Sequence, residues 1–270
     1  MGWLGFVASV AVLAFVAGLI GLKLHDWLPE RHAADRARDM IGAMSGLLGL
    51  LLALVLGTLI GASYTLYATQ KAELETLAAR VLQLDSALEA YGPEAEPGRE
   101  GLKKAITQSF DKIWGGGVVE TSDVNVKSVM AGSKILDRFL LSLTPKTDAQ
   151  KQLLATANVA AGQIAQTRLL MSLQLAGGIS WPMVAIVVCW SLLLFCGYGL
   201  VSPVNATVIA TLALGSLAVA SAIFLIVELS QPYSGLFRIP PYGLMQTIEA
   251  LGSWSGGQVF IALRGRALRT

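Results

Sequence analysis

The chain has 270 residues, of which 54% are hydrophobic and only 14% charged, with a mean hydropathy of +0.61. A soluble domain carries about 25% charged residues, so this composition excludes an ordinary soluble fold and points to a membrane protein. A net charge of +2 is too small to imply a nucleic-acid partner.

Residues 2–22 form the first apolar run. It lacks a basic leader and exceeds the usual 7–15 apolar residues of a cleaved signal, so it reads as a retained span. Residues 23–39 form a polar loop with four basic and four acidic residues, and His25 and His32 read as exposed loop histidines.

Residues 40–67 carry no charge over 28 positions, enough for a bilayer core that needs about 20 apolar residues. Along this second span Gly42, Gly46, Gly49, Ala53, Gly57 and Gly61 recur at steps of 4, 3, 4, 4 and 4. That spacing keeps them near one helix face, where another helix can approach closely or a pore can be lined.

The helical pattern continues past residue 67. Leu74, Leu77, Val81, Leu84, Leu88 and Tyr91 follow a 3–4 spacing, the seam of a helix packing in a local bundle. Tyr91-Gly92-Pro93 ends it. Further helices are expected at about 98–114, 124–143 and 148–175, the last capped by Thr147 or Asp148. Gly115-Gly116-Gly117 is a turn without the Gly-Lys-Ser/Thr of a phosphate loop.

Arg168 falls beside the apolar stripe of its helix, either snorkelling at the membrane edge or in a buried ion pair with Glu73 or Glu75. Residues 68–178 hold 12 basic and 12 acidic residues, so this domain is neutral.

Two more spans follow, at 180–201 and 205–227, joined by the uncharged turn Ser202-Pro203-Val204-Asn205. Cys189 and Cys196 share one face of the third span and cannot reach each other for a disulfide. No CxxC pair or metal-ligand spacing occurs, and no cofactor is expected.

Glu228, Gln231 and Arg238 mark the exit from the fourth span, as caps or as a charged pore mouth. An amphipathic segment at 242–251 and a basic tail with Arg264, Arg266 and Arg269 complete the chain.

The pattern predicts an all-α integral membrane fold of four spans. Spans one and two occupy 1–67, a helical extramembrane bundle 68–178, spans three and four 179–238, and a tail 239–270. Four spans put both termini and the bundle on one side, and the basic tail favours the cytoplasm.

Four stretches carry a further likeness: RHAADRARD with LALVLGTLIGAS, then LQLDSALEAYGPEAEPGRE, VSPVNATV and IVELSQPYSGLFRI. With them the chain resembles the bestrophin-like family of bacterial membrane proteins over about residues 20–245. That family is distantly similar to bestrophins, pentameric ion channels whose second span lines the pore and whose cytoplasmic helical domain lies between spans two and three. The resemblance implies a homo-oligomer, with a pentamer favoured, in a bacterial inner membrane, with small inorganic ions as its cargo.

Two departures stand out. The acidic calcium cluster of some bestrophins is reduced here to Glu228, and Ca²⁺ takes 6–8 oxygen ligands. The aromatic neck residues of the animal channels are missing from the second span. The alternative function is a membrane-anchored scaffold or sensor whose helical domain binds a partner. No constellation for an enzyme is visible.

Overall fold

The computed structural model describes residues 2–27, 35–115, 126–176 and 181–252. Every element among them is helical. The helices are α1 (Gly2–Trp27), α2 (Asp35–Tyr91), α3 (Glu96–Trp114), α4 (Val126–Ser142), α5 (Asp148–Ala176), α6 (Trp181–Val201), α7 (Ala206–Leu229) and α8 (Tyr242–Gly252). Of these, α1, α2, α6 and α7 are long and apolar enough to cross a bilayer. The expected continuity across residue 67 is observed, since α2 is one helix of 57 residues.

The chain divides into two compact units, Met1–Tyr67 with Ile179–Gln231, and Ala68–Gly178 with Pro232–Thr270. In the first, Val10, Leu52, Val187, Ile223 and Val227 are buried together, and Ala14, Leu22, Phe195 and Leu212 form a neighbouring cluster. Only 11% of the apolar window of α2 is buried inside the chain, against 33% for α6 and 28% for α7.

Small residues set the tightest helix approach in this unit, between α1 and α6. A methyl group at Gly199 of α6 would collide with the backbone of α1 at Gly18 and Leu22, and one at Gly21 with the backbone at Cys196. Glycine lets the two backbones pack closely where lipid offers no hydrophobic drive for association.

His25 also departs from the sequence expectation. Because α1 runs on to Trp27, His25 lies in its last turn, half-buried. Its Nδ1 is 2.8 Å from the carbonyl of Leu200, which can only accept, so that nitrogen carries the proton. His32 lies outside the described residues. At the start of α7 the Asn205 side chain accepts from the Val208 N–H at 2.9 Å, an N-cap.

In the second unit the α2 seam is buried as its spacing predicts, with Val81 and Leu84 at 0% exposure. Gly92, at φ +121°, turns the chain after α2, a conformation that favours glycine. Asp85 of α2 takes a forked pair from Arg99 of α3, Nε at 2.9 Å and Nη2 at 3.2 Å. Thr147 caps α5, accepting from the Gln150 N–H at 3.2 Å. In α3 a methyl at Gly98 would strike the ring of Phe139 of α4.

The Gly199→Ala variant is expected to lose roughly 1–3 kcal/mol of stability through overpacking. Gly57→Ala, with no atom of the chain near its open side, is expected to keep the parent's stability or gain up to about 1 kcal/mol, because alanine suits a helix interior better than glycine. Thermal unfolding of the two variants in detergent measures the contrast.

Candidate functional site

The span part of α2 presents two faces. Ser45, Leu52 and Ser63 are buried, and Leu48, Val55, Leu56 and Leu59 pack against the core of the first unit. Ser63 accepts a hydrogen bond from the Ser230 hydroxyl at 3.1 Å. Most of the small-residue stripe turns elsewhere. Methyl groups added at Gly42, Gly46, Gly57 or Gly61 would meet nothing within 4 Å. Gly49 alone among the stripe's glycines has such a neighbour, with Leu194 and Tyr198 side chains 3.6 Å from the added methyl. Ala53 is exposed. Leu50 and Leu54, at 73% and 65% exposure, extend the uncovered surface.

At the end of α7, Glu228 is buried, at 7% exposure, and its carbonyl accepts from the Gln231 N–H at 3.1 Å. Gln231 is half-buried. Arg238 belongs to the second unit and is answered there. It donates to the carbonyl of Ile113 at the end of α3 and lies 5.8 Å from the ring centre of Trp114. A cation at a helix C-terminus is favoured by the exposed carbonyls. Trp114 in turn donates to the carbonyl of Ile239 at 3.1 Å, holding the segment after α7 against α3.

A buried polar chain crosses the second unit. Tyr233 donates to Gln70 Oε1 at 3.1 Å, Gln70 Nε2 to Gln174 Oε1 at 2.6 Å, and Gln174 Nε2 to Glu73 Oε1 at 2.9 Å. The three donors point one way and end on a carboxylate, an arrangement in which each bond polarises the next. Burial, with Glu73 nearby, pushes the Tyr233 hydroxyl well above its ordinary value.

Arg168 makes no ion pair among the described residues, with Glu73, Glu75 or any other carboxylate. Glu73 is engaged by Gln174, and Glu75 is exposed. The arginine that joins α2 to α5 is Arg80, which donates to the Gln163 carbonyl at 3.0 Å and to the Thr167 hydroxyl. Arg168 instead lines a cavity between helices of the bundle, its Nη1 3.6 Å from a methyl placed on Gly132. Burial pushes its guanidinium below the ordinary arginine value.

The sequence is matched by the model of the bestrophin-like domain over residues 11–244. The chain belongs to the bestrophin-like family. Solved structures agree on the fold. Three variants of a bacterial bestrophin homologue from Klebsiella pneumoniae superpose with TM-scores of 0.62, 0.63 and 0.63 at 17%, 15% and 18% identity. They cover 91–93% of this chain and 98–99% of theirs. Among curated proteins, none matches the sequence. The bestrophin-like match takes in the α2 stripe, Arg168, Glu228, Gln231 and Arg238, and ends within the first turn of α8.

Arg80 and Arg168 are expected to respond oppositely. Arg80→Ala strands the Thr167 hydroxyl and the Gln163 carbonyl and should cost roughly 1–3 kcal/mol. Arg168→Met removes a half-buried cation that has no ion pair among the described residues and should leave stability unchanged or raised. Thermal midpoints of both variants decide this.

Tyr233 makes the fold sensitive to alkali. Its raised folded-state pKa gives stability that is complete below the ordinary tyrosine value of 10.0 and is lost as pH rises above it. Denaturant titrations from neutral to alkaline pH should show that loss in the parent and a flatter profile in Tyr233→Phe.

Proposed function

We propose that the chain is one subunit of a homo-oligomeric bestrophin-like channel, with α2 facing a central axis along which small inorganic ions pass. The supporting observation is the uncovered face of α2. It is the least buried of the four spanning helices, and its open glycines leave backbone that another helix or water can approach. Leu50 and Leu54 on that surface supply an aliphatic constriction of the kind that gates by dewetting. The stripe from Gly42 to Gly61 then serves subunit packing on one edge and the axis on the other. A pentamer follows the bestrophin resemblance.

Glu228, Gln231 and Arg238 act in this reading as caps where the chain leaves the fourth span, because Glu228 is buried and Arg238 is spent on the end of α3. The protein sits in a bacterial inner membrane with its helical domain and both termini cytoplasmic, an orientation drawn from the basic tail.

Liposomes carrying the purified protein are expected to release ions faster than empty liposomes. Leu54→Ser should raise that flux by wetting the constriction, and Gly57→Trp should lower it to about the empty-liposome level. Parent flux no greater than background, across several salts and pH values, would turn the reading to the membrane-anchored scaffold.

A further inference from the structure

The bundle of the second unit holds a cavity of about 600 Å³, open to solvent on one side, between α2, α3, α4 and α5, within the roughly 300–1,000 Å³ of small-molecule sites. Its walls are largely aliphatic and aromatic, with Leu77, Ile106, Leu136 and Ile164 among them. Into this apolar space the protein puts Arg168, half-buried and without an ion pair among the described residues. The other charged groups on the lining are Lys104, Lys112 and Asp137, all exposed. Three cations against one carboxylate leave the lining positive. Gly132 opposite Arg168 leaves open a place that a side chain would narrow.

We propose that this cavity binds an anionic amphiphile, its carboxylate or phosphate headgroup held by Arg168 and its apolar tail lying among the aliphatic walls. A guanidinium presents a planar fork of donors that suits either headgroup. The tail displaces water from apolar surface, which gives the affinity, while Arg168 gives the preference for an anion. Lys104 and Lys112 raise the local concentration of anions at the rim. The proposal does not depend on ion conduction, since binding is read without flux.

The test uses the full-length protein in lipid nanodiscs, with calorimetric titration of dodecanoate, dodecyl phosphate and dodecanol corrected for empty nanodiscs. Saturable binding of at least one anion is expected, about tenfold or more tighter than dodecanol. The tighter of the two anions identifies the headgroup. Arg168→Gln should weaken the anion about tenfold or more and leave dodecanol unchanged. Arg168→Lys should retain part of the preference. Gly132→Phe should remove binding of all three.

Thermal midpoints near the parent's establish that the variants fold. The proposal is overturned by an absence of saturable binding, as when a neighbouring subunit fills the cavity. Equal affinity for dodecanol, or anion affinity unchanged in Arg168→Gln, overturns it as well.

Discussion

A bilayer leaves no water for an unpaired backbone group, so a spanning segment that continues into a polar domain does best to continue as helix, and α2 does so for 57 residues. Continuity carries a constraint with it. At 100° per residue, Ser45, Leu52, Ser63, Gln70, Leu74, Val81 and Leu88 fall in one narrow sector of α2, and all seven are buried. The opposite sector, with Leu50, Leu54 and Gly61, is left uncovered by the chain.

Gln70 sits where the residues on this sector change from membrane core to bundle core. It is fully buried, three positions after the boundary between the units. An apolar residue would be simpler to bury, but it would accept many neighbours equally well. An amide satisfied at both ends, by Tyr233 and by Gln174, accepts one arrangement. It ties α5 and the segment after α7 to the same turn of α2. Fixing register is the best-attested use of a buried polar group. Arg99 with Asp85 repeats the device further along α2, this time to hold α3.

The spans, the continuous second helix and the bundle seam were legible because each rests on a period that only one structure satisfies. Leu74 to Tyr91 repeat at 3–4 spacing, and their burial follows from that alone. The neighbours of small residues were not legible. A glycine reports that something can come close, not what comes. Gly21 and Gly199 are as plain in the sequence as Gly57, yet they hold the tight crossing while Gly57 meets nothing within the chain. The arginines show the same limit. Arg80 and Arg168 both lie on helices of the bundle, but the partner that Arg80 finds is partly a backbone carbonyl, which side-chain spacing does not reveal. One signal was present and unused. Gln70 lies four residues before Leu74, in register with the seam, and a polar residue in a seam position marks a buried network.

The polar groups of the bundle divide by how they are answered. Arg80, Arg99, Gln70 and Gln174 are joined to acceptors of stated geometry. Glu73 Oε2 and Arg238 Nε lack a partner, but each belongs to a group bonded through another atom. Arg168 differs in kind, because its half-buried head group borders an apolar cleft rather than joining a network among the described residues. A partly desolvated cation without an ion pair and an apolar cleft left uncovered both add little to folding. Their coincidence at one place is hard to assign to stability. Departures from local consistency of this sort gather where a fold serves a ligand, and an anion-headed apolar molecule in the cleft would cover its walls and pair the arginine at once.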